Sequence, residues 1–181
     1  GKDNVSLILG DNFFYGQSFS KKLIECSKLK NGAKVLLYKV SNPQSYGVAK
    51  INKNKKIVSI KEKPKKYFSD LAITGLYFFD NKVVNYSKKL KPSKRGEVEI
   101  TDLLNKYKLK GKLKADFIGR GGAWLDTGTI DDFYKTSSFV SAIENRQGFK
   151  IACLEEIALN FKWINKSNIE KAIKFYGNCD Y

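Results

Sequence analysis

The sequence VSLILGDN, residues 5–12, joins a nearly continuous apolar run to a polar turn. Such a run, ended by a glycine, predicts a buried strand from Val5 to Leu9. Asp11 follows directly, and ligands of open α/β sheets bind in the crevice beyond the carboxyl ends of the strands. The Asp11 carboxylate is therefore either a functional group at such a crevice or only the cap of a turn, as aspartates often are.

The residues that follow indicate an α/β fold. Leu23, Ile24 and Leu29 recur at helical spacing before Gly32, which predicts a helix from about residue 20. The apolar run at 33–40 predicts a second buried strand. Strand, helix and strand in this order form a βαβ unit.

The rest of the chain predicts further strands and helices. A hairpin is expected from residues 48–51 and 57–60, strands at 73–79 and 115–118, and helices at 81–90, 101–109, 131–148 and 169–175. Gly121 and Gly122 are expected to break regular structure before Trp124. Since no linker separates two halves, we expect residues 1–181 to form a portion of one domain, with a helical region from about 130 to 181.

Composition limits the chemistry that the chain can perform. It has no histidine, which excludes histidine-based triads, histidine metal clusters and imidazole proton shuttles. Its three cysteines show no CxxC spacing and suit reduced thiols. No apolar run reaches the roughly 18 residues that span a bilayer, and no signal peptide opens the chain, so we expect a cytoplasmic protein without a membrane partner.

The formal charge of +16 raises the question of a nucleic-acid partner. Only three of the 34 basic residues are arginines, whereas recognition of base edges and phosphates favours the planar fork of arginine. The lysines are spread along the chain rather than grouped in a stripe. We therefore expect no nucleic-acid partner, although such a charge attracts small phosphorylated anions.

A second aspartate, Asp126, ends another apolar run in the sequence WLDTG, residues 124–128. Two carboxylates brought together at strand ends suit Mg²⁺, which binds through one or two carboxylates plus the phosphates of a substrate. The sequence therefore predicts that Mg²⁺ is the cofactor if Asp11 and Asp126 converge.

Three short motifs carry groups that suit a sugar phosphate. Glu62 and Lys63 place a carboxylate, which accepts hydrogen bonds from sugar hydroxyls, beside an ammonium suited to phosphate. Gly47 follows Tyr46 in a loop where a glycine lets backbone approach a ligand, and Arg95 lies in a second loop. Each motif taken alone is also typical of a solvated surface.

Seven stretches, in order along nearly the whole chain, resemble the sugar nucleotidyltransferases and, within them, the glucose-1-phosphate thymidylyltransferases. They are LILGDNFFYG (7–16), SYGV (45–48), KEKP (61–64), ITGLYFFD (73–80), KPSKRGEVEITD (91–102), GRGGAWLDTGT (119–129) and IENRQG (143–148). The resemblance implies a Rossmann-like mixed α/β sheet with flanking helices.

The resemblance also implies roles for individual residues. It makes Asp11 and Asp126 the Mg²⁺ ligands and Lys63 and Arg95 the groups that hold the sugar phosphate, and these four form the expected catalytic set. The sugar pocket that it implies contains Tyr46, Gly47, Glu62, Ile73 and Tyr77, with Trp124 beside the metal site. A regulatory site for a deoxysugar nucleotide is implied at Tyr15, Gly16, Arg120 and Arg146.

The implied reaction is the Mg²⁺-dependent transfer of a thymidylyl group from dTTP to glucose 1-phosphate, which gives dTDP-glucose, a precursor of dTDP-rhamnose, and pyrophosphate. A phosphate oxygen is already a nucleophile, so a chain without histidine is compatible with this reaction. Enzymes of this family are commonly homotetramers. Two alternatives stay open: a related enzyme that uses UTP or CTP, and a non-catalytic module that binds a sugar phosphate or a regulator.

One family motif is absent from the chain. The glycine-rich segment GGxGTRLxPxT, which cradles the triphosphate in the family, has no match among the 181 residues. We therefore expect the chain to be a C-terminal portion of a nucleotidyltransferase domain that holds the sugar-phosphate and metal half. We also expect this polypeptide alone to be inactive.

Overall fold

The structure, a computed structural model, describes residues 2–179. The chain forms two compact units, Gly1–Gly128 and Thr129–Tyr181. None of the helices in the described part has the length and apolar character needed to cross a membrane.

The first unit contains eight strands and three α-helices in its described residues. In chain order they are β1 (Val5–Ile8), β2 (Asn12–Gly16), α1 (Phe19–Ser27), β3 (Ala33–Lys39), β4 (Val48–Ile51), β5 (Ile57–Lys61), β6 (Leu71–Phe79), α2 (Val83–Ser87), α3 (Ile100–Leu109), β7 (Leu113–Phe117) and β8 (Gly122–Asp126). A short 3₁₀ turn, Pro43–Ser45, precedes β4.

Six of these strands form one mixed sheet in the order β5-β4-β6-β3-β7, and β1 also pairs with β6. All pairs are antiparallel except β3 with β7. The predicted α/β fold with a mixed sheet is confirmed. The nine-residue strand β6 lies at its centre and is almost entirely buried.

Helices cover both faces of this sheet because successive side chains of a strand point to opposite sides. Val35 and Leu37 of β3 pack on one face with Leu104 and Tyr107 of α3. Leu36, which lies between them in the sequence, packs on the other face with Cys26 of α1. The hydrophobic core therefore consists of two layers on either side of the sheet.

Strands β2 and β8 form a separate antiparallel ribbon, which the sequence analysis did not predict. The expectation that Gly121 and Gly122 end regular structure is wrong for Gly122, which is the first residue of β8. It lies opposite Gly16, where a Cβ atom would come within 2.9 Å of the Gly122 Cα atom. The glycines thus allow close approach of the two strands rather than breaking the ribbon.

The predicted strand at Val5 to Leu9 is confirmed, but its predicted burial is wrong. Leu7 and Ile8 are 39% and 57% exposed. Among the described residues, β1 pairs along one edge only, with β6. Strands β1 and β3 are parallel, as the predicted βαβ unit requires, because both pair antiparallel with β6, which lies between them. The connection from β1 to α1 also contains a further strand, β2.

The other predicted elements of this unit are confirmed, with ends shifted by a few residues. They are α1, β3, the β4–β5 hairpin, β6, α2, α3 and β7. The hairpin aligns Ala49 with Ile60, both of which are buried. Its second strand leads directly to Glu62 and Lys63.

The second unit consists of α4 (Ile130–Gln147), α5 (Leu154–Asn160) and α6 (Lys166–Tyr176) in its described part. Helices α4 and α6 agree with the prediction, whereas α5 was not predicted. Thr129 caps α4, Gly148 ends it in the left-handed conformation, and Asn165 forms a capping box with Asn168 at the start of α6.

Candidate active site

A cavity of about 230 Å³ opens beyond the end of β1. The start of β2, the start of β4, the middle of β6 and the end of β8 surround it, so that residues distant in sequence meet there. Its lining is formed by Leu9, Asp11, Asn12, Ser45, Tyr46, Gly47, Glu62, Lys63, Ile73, Gly75, Tyr77, Ile100, Thr101, Trp124 and Asp126. Nine of the residues singled out from the sequence are among them.

The Asp11 and Asp126 carboxylates face a common space in this cavity. A Cβ atom placed on Gly128 would lie 3.0 Å from Asp126 Oδ1 and 4.0 Å from Asp11 Oδ2. The β2–β8 ribbon causes this proximity, because its first residue pair aligns Asn12 with Asp126. The predicted convergence of the two aspartates is therefore present in the fold.

Hydrogen bonds hold both aspartates in place. The Thr127 backbone N–H and hydroxyl donate to the Asp11 carbonyl oxygen at 2.8 and 2.9 Å. The Gly128 N–H donates to Asp126 Oδ1 at 2.8 Å, and the Asn12 amide donates to Asp11 Oδ1 at the same distance. The turn after β8 thus fixes the two aspartates relative to each other.

The donor set fits a hard cation that shares its coordination with a substrate. No group of three or more acidic, histidine or cysteine side chains suited to a metal ion occurs within residues 2–179. Two carboxylates alone leave coordination positions for water and phosphate oxygens, which is how Mg²⁺ is usually bound. The pair at Asp11 and Asp126 is therefore compatible with Mg²⁺.

Glu62, which follows β5 directly, also lines the cavity. A Cβ atom on Gly47 would come within 3.0 Å of both Glu62 Oε2 and Thr101 Cγ2, so glycine at this position leaves room for both side chains. Burial and the nearby Glu99 carboxylate raise the pKa of Glu62, against the effects of a Thr101 hydrogen bond and the Lys63 and Arg95 charges. The hydrogen bond and the positive charges near Glu62 therefore offset only part of the effect of burial on its carboxylate.

Lys63 has a left-handed backbone, with a φ of 34°. Non-glycine residues rarely adopt this conformation, and the following Pro64 restricts it further. The Lys63 N–H donates to the Tyr46 carbonyl oxygen at 3.1 Å, which ties the residue to the loop before β4. The strained backbone positions the Lys63 side chain at the cavity.

Aromatic side chains form one wall of the cavity. The Trp124 ring lies 5.0 Å from that of Tyr46 and 6.1 Å from that of Tyr38, measured between centroids. Tyr77 is buried on β6, and its burial together with the Glu62 and Asp11 charges raises the pKa of its hydroxyl. Tyr77 therefore stays a neutral hydrogen-bonding group.

Arg95 lies outside this cavity, in a neighbouring one of about 330 Å³. Glu62 and Thr101 line both cavities. The Arg95 guanidinium lies 3.0 Å from Glu97, 3.6 Å from Glu99 and 3.8 Å from Glu62, measured between nitrogen and oxygen. In this conformation Arg95 neutralises carboxylates beside the cavity.

The four residues predicted for regulation fall into two groups. Tyr15 and Gly16 lie at the end of β2, opposite Ala123 and Gly122, and Arg120 lies two residues before β8. These three belong to the end of the ribbon that is remote from Asp11. Arg146 lies on α4 in the second unit.

Sequence reasoning gave no role to six of the fifteen residues that line the cavity, among them Asn12, Gly75 and Thr101. Asn12 follows Asp11 in a strand-end turn, which was a usable signal because asparagine supplies both a donor and an acceptor. Gly75 interrupts an otherwise apolar strand, a pattern that indicates close approach of another group. Thr101 gave no signal, because only the tertiary fold brings α3 to the cavity.

Comparison with known proteins identifies the family. The family model described as nucleotidyl transferase matches residues 1–143. A glucose-1-phosphate thymidylyltransferase of Neisseria meningitidis is 47% identical over the whole chain, and one of Xanthomonas campestris pv. campestris is 44% identical over 91% of it. The chain spans 63% and 56% of the lengths of these two relatives.

Structural comparison agrees. A Bacillus anthracis protein named as a candidate glucose-1-phosphate thymidylyltransferase, solved in complex with sucrose, matches with a TM-score of 0.68 and 43% identity. The match covers 77% of this chain and 55% of that protein. From its sequence match, its mixed sheet and its cavity, we conclude that the chain belongs to the nucleotidyl transferase family.

Proposed function

We propose that the chain forms the sugar-phosphate and metal side of a nucleotidyl transfer site. The reaction that we infer transfers a thymidylyl group from dTTP to glucose 1-phosphate and yields dTDP-glucose and pyrophosphate. The observation that carries the proposal is one cavity lined by two facing aspartates, a lysine and a half-buried glutamate. The names of the Neisseria and Xanthomonas relatives support the choice of thymidylyl group and sugar.

The chemistry requires no general base. An oxygen of the sugar phosphate attacks the α-phosphorus of the nucleoside triphosphate, and a new P–O bond forms. The bond from the α-phosphorus to the oxygen bridging to the β-phosphate breaks, and that oxygen leaves with the electron pair as part of pyrophosphate. The main barrier is to bring two anions together in line, which positioning and charge neutralisation lower.

Lys63 supplies the positive charge that holds the sugar phosphate in this proposal. The ammonium group is a compact charge on a flexible stem, and the strained backbone sets the point from which it reaches. Glu62 and the neutral Tyr77 hydroxyl bind sugar hydroxyls, and the Trp124–Tyr46 wall packs against the apolar face of the ring. These contacts orient the attacking oxygen.

Asp11 and Asp126 hold Mg²⁺ in this proposal. When bound there, the ion would supply positive charge for phosphate oxygens and for the leaving pyrophosphate. Arg95 supports the phosphate from the neighbouring cavity when it exchanges its carboxylate partners for substrate.

Isothermal titration calorimetry with glucose 1-phosphate tests the sugar-phosphate side of the proposed site. Lys63→Met removes the proposed phosphate partner, and we expect the Kd to rise by roughly 10- to 100-fold, the effect of one charge-assisted hydrogen bond. Lys66→Met removes the same charge from an exposed position outside the cavity and should change the Kd less than twofold. Equal effects of the two substitutions would refute the assignment.

The nucleotide half is tested by measuring pyrophosphate release with glucose 1-phosphate and dTTP, UTP or CTP. We infer that the 181-residue polypeptide alone gives no release, because none of its residues matches the glycine-rich triphosphate cradle. A polypeptide in which the cradle sequence precedes residue 1 should release pyrophosphate most rapidly with dTTP. A preference for UTP or CTP would reassign the nucleotide and leave the sugar-phosphate half unchanged.

We also infer a regulatory role for the remote end of the β2–β8 ribbon. Tyr15 and Gly16 lie at the end of β2 and Arg120 lies two residues before β8, and an arginine suits the phosphates of a nucleoside diphosphate sugar. Binding of dTDP-rhamnose that survives Lys63→Met and is lost in Arg120→Gln would support this role. By family resemblance we infer that the protein assembles as a homotetramer, which light scattering would test.

A further inference from the structure

The side chain of Asn12 connects three parts of the cavity wall. Its Oδ1 atom accepts hydrogen bonds from Trp124 Nε1 at 2.6 Å and from the Gly75 backbone N–H at 3.0 Å. Its Nδ2 atom donates to Asp11 Oδ1 at 2.8 Å. One amide group therefore joins the start of β2, the central strand β6 and strand β8.

These contacts link two separate sheets. The β2–β8 ribbon carries Trp124 and Asp126, whereas Gly75 belongs to the six-stranded sheet. Strand β6 pairs with β3, and it also pairs with β1 and with β4. The N–H of Gly75, in the middle of β6, donates to the Asn12 side chain instead of to another strand. The Asn12 side chain takes the place of a strand partner at this point.

Gly75 supplies the space that this amide occupies. A Cβ atom on Gly75 would lie 2.5 Å from Oδ1, 2.6 Å from Cγ and 2.7 Å from Nδ2 of Asn12. All three distances are shorter than real carbon contacts allow. Any side chain at position 75 would therefore push the Asn12 amide out of its place.

Asparagine is the residue type that these partners require. Trp124 and Gly75 each need an acceptor, and Asp11 needs a donor, so the side chain must supply both. Aspartate would keep the acceptor but place a negative charge against Asp11. Leucine has a similar size and would leave the Trp124 and Gly75 N–H groups without this partner, at a cost in stability.

We propose that Asn12 is a positioning residue that locks Asp11 and Trp124 in one arrangement around the cavity, with Gly75 as its backbone anchor. For Asp11 the inference rests on the proposed metal role. Asn12 acts through its neighbours: it fixes the rotamer of the Asp11 carboxylate and keeps the indole ring against Tyr46. Preorganisation of this kind is what metal and substrate sites depend on.

A double-mutant cycle between positions 75 and 12 tests the proposal. Gly75→Ala, whose methyl group would displace the Asn12 amide, should weaken the binding of Mn²⁺, the probe ion, by about tenfold or more. In a chain that already carries Asn12→Ala, the Asn12 amide is absent, and adding Gly75→Ala should change the Kd for Mn²⁺ less than twofold. Additive losses would mean that Gly75→Ala only damages strand β6, and would overturn the proposal.

A second readout is independent of the metal. Trp163→Phe leaves Trp124 as the sole tryptophan, so that the emission spectrum reports on its environment. Gly75→Ala should shift the Trp124 emission, because the Nε1 hydrogen bond is lost. Gly119→Ala, where a Cβ atom meets nothing within 4 Å, is the matched control and should leave the emission and Mn²⁺ binding unchanged.

The outcomes separate the proposal from the function on which it rests. If the unaltered chain binds no Mn²⁺, the metal role of the aspartates fails, and the emission data still decide whether Asn12 holds Trp124. If Gly75→Ala leaves the Trp124 emission unchanged, the positioning role is refuted. If Asn12→Ala does not fold, the emission of Gly75→Ala and of its control Gly119→Ala decides the positioning role, and an equal shift in both variants would contradict the inference.

Discussion

The two compact units of the chain differ in how their interiors are built. Within the described residues, every buried hydrophobic side chain belongs to Gly1–Gly128, whereas Thr136 alone is buried in Thr129–Tyr181. Large apolar side chains of the second unit stay exposed, such as Trp163 at 72% and Phe175 at 84%. The first unit is therefore stabilised by a core and buried polar contacts, whereas the second depends more on the caps of its helices.

The largest effect that this comparison predicts concerns Asp80 in the first unit. This buried carboxylate accepts hydrogen bonds from Gly32 N–H at 2.7 Å, Tyr107 hydroxyl at 2.8 Å and Lys82 N–H at 3.1 Å. Asp80→Ala leaves buried donors without a partner, and we expect the free energy of unfolding to fall by about 3 kcal/mol. Urea denaturation, monitored by the emission of Trp124 in a chain that carries Trp163→Phe, measures this loss.

Asp70→Ala is the control for Asp80→Ala. Asp70 forms an ion pair with Lys39 at the surface, with 36% and 79% of the two side chains exposed. Removing it should change the free energy of unfolding by less than about 0.5 kcal/mol. If both substitutions had the same effect, burial would not be the reason for the stability of the first unit.

A smaller effect is expected in the second unit, where Asn165 forms the capping box of α6. Asn165→Ala should destabilise this helix by about 1 kcal/mol. Hydrogen exchange at the amides of residues 166–176 measures the local opening. Asn160→Ala, at the exposed end of α5, should leave these amides unaffected; faster exchange there as well would indicate that the caps do not act locally.

The ion pair of Asp116 with Lys22 gives the first unit a contribution to stability that depends on pH. Burial raises the pKa of Asp116, but hydrogen bonds from Lys22 and the Phe117 N–H, with the Lys22 and Lys34 charges, outweigh it and hold this pKa below its ordinary value. A lowered carboxyl pKa stabilises the fold above the unfolded-state value of about 4, and this contribution is lost as pH falls through the folded-state pKa.

Lys22→Gln should accordingly lower the free energy of unfolding by about 0.5 to 1 kcal/mol at pH 7. The difference from the unaltered chain should shrink as the pH falls below about 4 and through the folded-state pKa of Asp116. Below that pKa the carboxylate is protonated in the folded and in the unfolded chain. Lys21→Gln, at an exposed neighbouring position, should give no pH-dependent difference. A constant difference at all pH values would show that the ion pair is not its source.

The smallest effect concerns Lys135 on α4. It pairs with Asp131 and Asp132, and these pairs raise its pKa, yet Lys135 and Asp131 are largely exposed and Asp132 is about half exposed. Exposed pairs contribute little because solvent and salt screen them. Lys135→Ala should leave the Tm unchanged within error in calorimetry, and a clear decrease would mean that surface pairs stabilise the second unit.

Much of the first unit was predictable because its strands have distinct local patterns. The β4–β5 hairpin shows two apolar runs around a turn, and α3 shows helical spacing at Leu103, Leu104 and Tyr107. The β2–β8 ribbon was not predictable from such patterns. Its glycines, Gly16 and Gly122, are needed for close strand approach, and in the sequence this need cannot be distinguished from a chain break.

The residues around the cavity likewise divide into those that local sequence patterns predict and those that only the tertiary fold brings into place. Asp11, Glu62 and Lys63 were identified from their positions after strands and from family motifs, and all three line the cavity. The ion pairs of Arg95 with three glutamates depend on how the 93–99 loop folds back, which no local pattern encodes. The hydrogen bonds of Asn12 likewise join residues far apart in sequence.

The backbone of Lys63 has a consequence for protein engineering. A residue held at a φ of 34° without being glycine costs on the order of 1 kcal/mol, so a search for thermostable variants would favour glycine at this position. Such a variant should melt at a higher temperature, and, on the proposed role of Lys63, it should bind phosphorylated sugars more weakly. Screening this chain by melting temperature alone would therefore select against the residue that we expect its chemistry to need most.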